Sequence, residues 1–495
     1  MSATEQEYKN HIKELEQQVR LLKEQVDFLT RKLYGTKSEK TSTLEIEGQM
    51  SLFNEIETCA DPDAHEPELV EIEKHLRKRK YTGQREELVK NLPHSKVLHT
   101  IDEREFVRTE VQFIPAKLKV IDHYRETYEC RSCRKNGTPY MEKAPVPYPP
   151  VLHSLASAST ITWLIHQKFE LSIPLYRQEK EWEALGLRLS RATMSNWLLV
   201  VYRDWLVHIV HRLKLELLKQ RYLHIDETHV QVLKEPGRKN TSDSYMWVYC
   251  SIRDAVNPIR YFEYQPGRSG KYPEAFLREY EGYIHTDAYS GYNAVSGVKR
   301  CLCYTHLRRA FVDALPKDIH NSEASKPAEA ILRLNQLFNI ESELEALPPD
   351  QKKKERLIRE KPLLEAFWSW AEKSAIGELP KSKLSKAFHY ALNNREGFWN
   401  YLEDGNCSIS NSLAENCIRP FVIGRKNWLF SGSPKGAEAS AGIYTLVETA
   451  KANGLAPMKY IKYILSDMPG SAFLEHPEYL DDYLPWNPLV KEFCR

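Results

Sequence analysis

Three acidic residues, Asp226, Asp287 and Glu415, have types and positions that could serve chemistry. Asp226 closes a short apolar and aromatic run, RYLHI, and Asp287 closes a second run, GYIHT. A carboxylate buried without a partner is costly, so such a residue needs a cation or a metal ion. Glu415 lies in NSLAENCIR, where Asn411, Glu415 and Arg419 recur every four residues and share one helix face. Asp226 alone could be a strand-end turn, and Glu415 could simply pair with Arg419.

Taken together, the three carboxylates would suit two-metal phosphoryl transfer. Mg²⁺ and Mn²⁺ prefer oxygen ligands, and two ions about 3.5–4 Å apart can clamp the attacking and leaving oxygens of a phosphodiester. We predict catalytic and metal-binding roles for Asp226, Asp287 and Glu415, with Asp226 bridging two ions. Water or a DNA 3′-OH would be the nucleophile.

Basic residues cluster in sequence near these carboxylates. A histidine and two arginines follow the short run KRCLCY, and further basic residues are interleaved with aromatic residues and glycines after Glu415. Side chains of this kind bind backbone phosphates. The predicted phosphate-binding residues are His306, Arg308, Arg309, Arg419, Arg425 and Lys426.

The carboxylates need a sheet and a helix to bring them together. Alternating patterns predict strands at 221–231, 244–252 and 259–266, a helix, a strand ending at Asp287, a fifth strand at 299–304 and another helix. This order is that of an RNase H-like α/β fold, whose first and fourth strands are neighbours. We therefore predict a mixed five-stranded catalytic core at 216–320 and 407–450, interrupted by a helical insertion at 321–406 and followed by a helical tail at 451–495.

A helical region is predicted at residues 151–215. Two helices are joined by a glycine turn, and the second begins at the N-cap residue Ser190 with Arg191 in its first turn. This pattern favours a helix-turn-helix with Arg191 contacting DNA, although an ordinary helical hairpin has the same pattern.

The N-terminal residues predict self-association and a basic arm. Apolar residues spaced alternately by four and three positions predict a leucine zipper-like coiled coil at 1–35, which one amphipathic helix packing on its own protein would also explain. An acidic linker at 36–85 ends in KHLRKRK. Its basic residues could bind phosphates or form a solvated face. They are Arg77, Lys78, Arg79 and Lys80.

Residues 86–150 are predicted to form a small, zinc-finger-like or β-rich DNA-binding region. Cys130 and Cys133 form a CxxC motif, which is half of a zinc site. There is no second CxxC, and the spacing of His94, His99 and His123 does not require any of them as ligands. A turn carrying two free thiols is the alternative, and the zinc site stays doubtful.

Composition limits the class of protein. The chain has 495 residues, which favours several domains, and 42% of them are hydrophobic, which favours packed domains over disorder. A formal charge of +2 means that any basic DNA-binding surface must be local. No apolar run is long enough to span a membrane, and nine scattered cysteines fit a reducing, cytoplasmic location.

Four segments resemble the transposases of the insertion sequence 66 family. They are IDETHVQV, HTDAYSGYNAV, CYTHLRRAF and the long segment from NSLAENCIRPFVIGRKNW to LAPMKYI. The resemblance covers roughly residues 150–465. It implies a DDE transposase with an RNase H-like core, an N-terminal leucine zipper, a zinc-finger-like region and a helical insertion before the catalytic glutamate. The implied triad is Asp226, Asp287 and Glu415. The chain departs from the family in having only one cysteine pair in the zinc region.

The sequence therefore predicts a bacterial, nucleoid-associated transposase. It would bind the terminal inverted repeats of its element, cleave DNA with two Mg²⁺ or Mn²⁺ ions and join the 3′-OH to target DNA. The predicted partners are DNA, further copies of the chain through the coiled coil, and small accessory proteins of the element. A nuclease of the same fold without strand transfer, and a catalytically silent DNA-binding dimer, are the alternatives.

Overall fold

A computed structural model describes residues 116–137, 140–316 and 325–495. The predicted coiled coil at 1–35, the linker at 36–85 and the basic arm of Arg77, Lys78, Arg79 and Lys80 lie outside the described residues. They therefore remain predictions. Among the helices that the structure describes, none combines the length and the apolar character that crossing a bilayer requires.

A small antiparallel hairpin opens the described part of the chain. It consists of β1 (Thr127–Glu129), the short helix α1 (Arg131–Lys135) and β2 (Met141–Lys143). Thr127 pairs with Lys143, and Glu129 pairs with Met141. Cys130 precedes α1, so both cysteines of the CxxC motif lie at the tip of the hairpin.

Four helices follow: α2 (Ala158–Ile165), α3 (Leu175–Ala184), α4 (Arg191–Val201) and α5 (Val207–Leu218). Gly186 has φ +92°, a conformation that favours glycine, in the turn between α3 and α4. The Ser190 side chain accepts a hydrogen bond from the Thr193 N–H and caps α4. The predicted pair of helices with a glycine turn is present.

The central sheet and its flanking helices come next. They are β3 (Tyr222–Val232), β4 (Asp243–Ser251), β5 (Arg260–Gln265), α6 (Lys271–Phe276), β6 (Gly282–Thr286), β7 (Val298–Leu302) and α7 (Tyr304–Val312). The strand order is β5-β4-β3-β6-β7. Neighbours of β4 are antiparallel to it, whereas β3, β6 and β7 are mutually parallel. The sheet is mixed and consistent with an RNase H-like α/β fold, with the first and fourth strands adjacent as predicted.

A unit of helices spans residues 326–403 and separates α7 from the segment that carries Glu415. Its helices are α8 (Lys326–Glu343), α9 (Pro349–Ala375), α10 (Lys383–Asn393) and α11 (Arg395–Trp399). This helical unit packs with β7 and α7 around a second hydrophobic core, in which Trp368 and Phe388 are fully buried. Inside it, Arg356 is fully buried and donates to both carboxylate oxygens of Glu341 at 2.6 and 2.8 Å.

The last part contains α12 (Ser412–Trp428), β8 (Phe430–Ser431), α13 (Pro434–Ala452), α14 (Pro457–Asp467) and α15 (Pro488–Cys494). Pro420 lies inside α12, and the helix continues through it. Proline removes the hydrogen bond to the carbonyl four residues earlier. That residue is Asn416, which is exposed, so water can satisfy its carbonyl.

The sheet has one strand more than the predicted five. The two-residue strand β8 pairs in parallel with the end of β3, matching Gln231 to Phe430 and Val232 to Ser431. β3 has eleven residues and β6 has five, so β6 cannot cover the whole edge of β3. β8 occupies the far end of that edge and leaves a gap between itself and β6.

Helix α13 covers the outer edge of the sheet. The Phe262 N–H of β5 donates to the Thr445 hydroxyl at 2.8 Å, and the Arg260 N–H donates to the Thr449 hydroxyl at 3.1 Å. Two edge groups that would otherwise be free to pair with another strand are satisfied in this way. α13 is mostly buried and belongs to the main hydrophobic core with β3, β4 and β5.

Candidate active site

The pairing of β3 with β6 brings Asp226 and Asp287 to corresponding positions. His224 and His285 are the last paired residues, and each aspartate lies two positions further along its chain. Because side chains alternate along a strand, both aspartates follow the face on which the two histidines lie. The buried rings of His224 and His285 stack with centroids 4.2 Å apart. The predicted meeting of Asp226 and Asp287 therefore follows from the register.

Asn411 places the helix that carries Glu415. Its side chain is buried and donates from Nδ2 to the Ile225 carbonyl at 2.8 Å, just where β6 stops pairing with β3. Its Oδ1 lies 3.0 Å from Nδ1 of His224. Burial, together with His285, holds the pKa of His224 well below its ordinary value, so the neutral ring donates this hydrogen bond. Glu415 follows one turn later, in the first turn of α12.

Asp226 is a carboxylate in an environment that disfavours its charge. Burial raises its pKa to about 7, and repulsion from Glu227, Asp287 and Glu415 adds to the effect. Its Oδ1 accepts a hydrogen bond from the Glu227 N–H at 2.9 Å. Among the described residues, no lysine, arginine or histidine forms an ion pair with it. The site thus surrounds Asp226 with other carboxylates, and the described residues give Asp226 no cation of its own.

Asp287 lies in a tightly bonded loop after β6. Its Oδ1 accepts a hydrogen bond from the Tyr289 N–H at 2.9 Å. The Arg300 guanidinium donates to Thr286 Oγ1 at 2.7 Å, to the Asp287 carbonyl at 2.6 Å and to the Tyr289 carbonyl at 2.8 Å. Arg300 therefore fixes the backbone on both sides of the aspartate.

Glu227 anchors a basic side chain beside the carboxylates. Its side chain is 2% exposed, and its Oε1 accepts a hydrogen bond from Arg268 at 2.6 Å. Tyr292 donates to its other oxygen. Arg268 also lies 3.8 Å from Oδ2 of Asp287. The sequence patterns that single out Asp226 and Asp287 do not point to Arg268 or Tyr292.

The predicted phosphate-binding residues differ in where they lie. Arg309 and His306 line a cleft of about 360 Å³ that also contains Asp287, Arg268 and Tyr289. Of the others, Arg308 donates to Asn335 on α8 at 2.7 Å, and Arg425 donates to the Thr228 hydroxyl at 3.1 Å. The last two, Arg419 and Lys426 on α12, are exposed. Arg191, the residue predicted to contact DNA from the helix-turn-helix, is also exposed at the start of α4.

Cys303 and His306 lie at the start of α7, beside Glu415. Nδ1 of His306 is 3.7 Å from Oε1 of Glu415. The Sγ of Cys303 accepts a hydrogen bond from the Asn411 N–H at 3.1 Å. Burial raises the pKa of the Cys303 thiol, but the His306 imidazole and the Asn411 N–H outweigh it and lower the pKa overall. Sequence reasoning noted His306 but not Cys303, although the CYTH spacing carries both.

Cys130 and Cys133 supply half of a zinc site. Both thiols are free, and interaction with Cys133 lowers the pKa of Cys130. Within the described ranges, no third histidine, cysteine or carboxylate joins them in a group suited to a metal. His94 and His99 lie outside the described residues. Whether this half-site is completed therefore remains a matter of prediction.

The donor set around Asp226 fits hard divalent cations. Carboxylate oxygens from β3, from the loop after β6 and from α12 are close enough to raise the pKa of Asp226. Oε1 of Glu415 is buried and has no hydrogen-bond partner in the structure. Oxygen ligands of this kind are those that Mg²⁺ and Mn²⁺ prefer. A cation would also remove the repulsion among the three carboxylates.

Comparison with known families gives three matches along the chain. A model described as "Transposase IS66 family" matches residues 153–439. One described as "Transposase C of IS166 homeodomain" matches residues 21–97, and one described as "zinc-finger binding domain of transposase IS66" matches residues 94–134. The first match includes the central sheet, the helical unit and all three carboxylates.

The chain is also similar to three proteins of Sinorhizobium fredii (strain NBRC 101917 / NGR234), each named as an uncharacterized protein. It is 25% identical to y4jD over 518 residues, which covers 98% of each chain. It is 26% identical to y4hP, covering 77% of this chain and 70% of y4hP. It is 27% identical to y4qI, covering 76% and 69%. With one family model matching more than half of its length, the chain belongs to the IS66 family of transposases, DNA-binding enzymes of the DDE class that generally use divalent metal ions.

Proposed function

We propose that this protein cleaves DNA at the inverted repeats of its own element and joins the resulting 3′-OH to target DNA. Asp226, Asp287 and Glu415 are the proposed catalytic residues. The observation that carries this proposal is that the β3–β6 register and the Asn411 anchor bring three carboxylates from separate parts of the chain to one place. Oxygen ligands of this kind are those that Mg²⁺ and Mn²⁺ prefer.

Each carboxylate has a distinct support. Asp226 lies on the central strand and would bridge two ions. Arg300 fixes the backbone at Asp287. Asn411 holds the start of the helix that carries Glu415. Two Mg²⁺ or Mn²⁺ ions bound there would supply Lewis-acid stabilisation of the charge that develops on the phosphate. The protein side chains hold and orient these groups, and none of them needs to act as the nucleophile.

DNA would lie across the basic residues around the cleft. Arg309 lines the cleft, while Arg419 and Lys426 are exposed on α12, one and three turns beyond Glu415. Arginine and lysine bind backbone phosphates and so fix the register of the duplex. Arg308 and Arg425 bond to Asn335 and Thr228 and would act mainly by holding α7 and α12.

The remaining parts of the chain have proposed supporting roles. The helix-turn-helix of α3 and α4 would present the exposed Arg191 to the element ends, together with the basic arm and the region around Cys130. Residues 1–35 would join copies of the chain. The helical unit at 326–403 would be an insertion within the RNase H-like core. Small accessory proteins of the element are further proposed partners.

The decisive experiment incubates the full-length protein with labelled DNA ends and Mg²⁺. The ends are taken from inverted repeats flanking its own gene, and an unlabelled plasmid serves as target. Joined products support the transposase, whereas cut but unjoined products support a nuclease of the same fold. Binding without cutting would support a silent DNA-binding protein.

Asp226→Asn tests the carboxylate site within that experiment. It should lower cleavage by about a hundredfold to a thousandfold, the range expected when one group that stabilises transition-state charge is lost. The matched control is Asp254→Asn, because Asp254 is an exposed aspartate in the turn after β4. Equal cleavage by Asp226→Asn and the parent would contradict the proposed site.

A further inference from the structure

Beside the three carboxylates lies a group of ligands of a different chemical kind. The Sγ of Cys303, a ring nitrogen of His306 and a carboxylate oxygen of Glu415 all lie within 4.8 Å of one another. Cys303 immediately precedes α7, and His306 is in its first turn, so the C-x-x-H spacing puts both on the same end of the helix. Glu415 faces them from the first turn of α12.

Two atoms of this group are buried and unsatisfied. Among the residues that the structure describes, Nδ1 of His306 and Oε1 of Glu415 find no hydrogen-bond partner, and these two atoms lie 3.7 Å apart. That separation is too long for a hydrogen bond. Buried polar atoms without partners are costly and rare, and the binding of an ion is one of their recognised explanations. Their facing arrangement leaves room for one shared cation.

The sulfur is already oriented as a metal ligand would be. The Asn411 N–H donates to the Sγ of Cys303 at 3.1 Å, and the same residue bonds to Ile225 and His224 through its side chain. Hydrogen bonds of this type fix ligand orientation and are as much a part of metal sites as the ligands themselves. Cys303 is 1% exposed, which protects the sulfur from solvent.

In a second cysteine-containing group nearby, the histidine nitrogens already have hydrogen-bond partners. His285, Cys301 and Cys407 also lie close together and are buried. However, Nε2 of His285 accepts a hydrogen bond from the Ser408 N–H at 2.9 Å, and its Nδ1 lies 3.2 Å from the Leu223 carbonyl. Both ring nitrogens are thus engaged, so this group is explained as part of the core.

We propose that Cys303, His306 and Glu415 bind a zinc ion, in a site that shares Glu415 with the carboxylate centre. Thiolate, imidazole and carboxylate are the ligands of zinc, whereas Mg²⁺ does not favour sulfur. When zinc binds, the Cys303 thiol proton passes to solvent as the sulfur–zinc bond forms, and nothing is oxidised or reduced. Three protein ligands leave a fourth tetrahedral position for water.

The shared glutamate has a functional consequence, and this step rests on the proposed function. If zinc bound Oε1 of Glu415, this carboxylate would coordinate the ions at Asp226 and Asp287 more weakly. Zinc should therefore inhibit cleavage supported by Mg²⁺ by at least about tenfold. Changes to the groups around a metal ligand typically lower activity by at least that factor. The ratio of activities with and without zinc should return towards one in Cys303→Ser.

Cobalt binding tests the site without any catalytic assay. The full-length protein carrying Cys130→Ser and Cys133→Ser, which removes the two thiols of the CxxC motif, is titrated with Co²⁺. We expect one equivalent to give the thiolate-to-cobalt charge-transfer band and the visible bands of tetrahedral cobalt, and added Zn²⁺ to remove both. Cys303→Ser should abolish the charge-transfer band, and His306→Ala should weaken binding by more than about tenfold.

Cys301→Ser is the matched control, because Cys301 is an equally buried cysteine two residues earlier. If the band survives in Cys303→Ser and disappears in Cys301→Ser, the ion lies in the other group and the proposal is wrong. Absence of any band in the parent also overturns it. Near-ultraviolet circular dichroism shows whether each variant is folded. If a variant is not folded, His306→Asn is titrated with cobalt in its place.

Asp226→Asn separates this proposal from the proposed function. Asp226 is not a ligand of the cysteine site, so the variant should keep the cobalt band while losing Mg²⁺-supported cleavage. A band in a protein that never cleaves DNA would leave the zinc site standing and reject the transposase reaction. If the protein cleaves DNA, zinc does not inhibit this cleavage and the cobalt band is absent, the transposase reaction stands and the zinc site is rejected.

Discussion

Asp226 shows how a single residue can link stability to cofactor binding. Burial and the neighbouring carboxylates raise its pKa to about 7, from an ordinary value of 3.8. The folded state therefore holds a proton that the unfolded state loses between these two values. Without metal, the free energy of unfolding should fall as the pH rises from about 4 to about 7, and then level off.

A divalent metal should reverse this loss. We expect Mn²⁺ at a hundred times its dissociation constant to stabilise the protein by about 2.7 kcal/mol at pH 8, and to have much less effect at pH 5. Thermal unfolding with and without Mn²⁺ at both pH values measures the difference. The protein used carries Cys303→Ser, so that the cysteine site does not contribute.

The control pair for this prediction is Asp226→Asn and Asp254→Asn. The first should lose the stabilisation by Mn²⁺, and the second, at an exposed position, should keep it. Stabilisation that is equal at pH 5 and pH 8 would mean that the ion does not compete with a proton at Asp226.

Among the structural elements, α12 depends on Asn411 for its position. Asn411→Ala would leave the Ile225 carbonyl and Nδ1 of His224 without their buried partner. Each buried group left unpaired costs about 1–3 kcal/mol. We expect a corresponding fall in the free energy of unfolding by urea denaturation, together with weaker cleavage, because Glu415 would no longer be held.

Asn416→Ala is the matched control on the same helix. Asn416 is exposed, and it should change stability by less than about 0.5 kcal/mol. If both alanine variants were equally stable, the Asn411 side chain would not be what anchors α12.

The helical unit contains a buried acid that makes its own pH-dependent prediction. Burial and the nearby Glu341 raise the pKa of Glu360 to about 8, and Tyr401 donates to it at 2.6 Å. Below about pH 4.5 both states are protonated, so the group has no effect. Between about 4.5 and 8 only the unfolded state loses the proton, and folding becomes less favourable.

Glu360→Gln should therefore be more stable than the parent by a margin that grows from pH 4.5 to pH 8. The margin should reach the order of a few kcal/mol, since one pKa unit corresponds to about 1.4 kcal/mol. Thermal unfolding across this range measures it. Glu365→Gln, at an exposed position of the same helix, should show no such trend. A constant margin at all pH values would refute the neutral form of Glu360.

The sequence predicted the strands of the sheet well because their signals are local. The runs around Asp226 and Asp287 alternate clearly, and the observed strands begin and end within one or two residues of the prediction, as at Tyr222–Val232. The adjacency of β3 and β6 followed from the order of elements. Strand β8 was not predicted, because two residues carry no periodic signal and the strand exists only where β6 fails to cover β3.

The contacts around the carboxylates could not be predicted in the same way. Arg268 reaches Glu227 across 41 positions of the chain, and Asn411 reaches Ile225 across 186. No local pattern marks such pairs, because they depend on how the sheet and the helical unit pack. The triad came from element order and family resemblance, whereas the residues that hold it required the structure.

At the scale of the whole molecule, the coiled coil predicted for residues 1–35 would determine how many active sites act together. Deleting residues 2–34 should lower the mass of the oligomer measured by light scattering, because the apolar seam that joins the copies is removed. An unchanged mass would show that the chain associates through another surface, or not at all.

Point substitutions make this test independent of the deletion. Replacing three apolar seam residues by alanine should reproduce the lower mass, while replacing three polar residues on the opposite face should not. The seam set is Leu15, Leu22 and Leu29, and the control set is Gln17, Glu24 and Arg31. Loss of association in the control set alone would place the interface on the polar face.

The hydrogen bond between the Asn411 N–H and the Cys303 sulfur joins residues 108 positions apart, and the Tyr304 N–H donates to the Ile409 carbonyl beside it at 3.0 Å. The two ends of the helical unit are thereby tied together. Loop closure costs only about 0.6 kcal/mol more for each doubling of length. Insertions in the exposed turns between the helices of the unit should therefore be tolerated, because they lengthen the chain without disturbing the core. A single-residue insertion in β6 should not, because it would turn Asp287 to the opposite face.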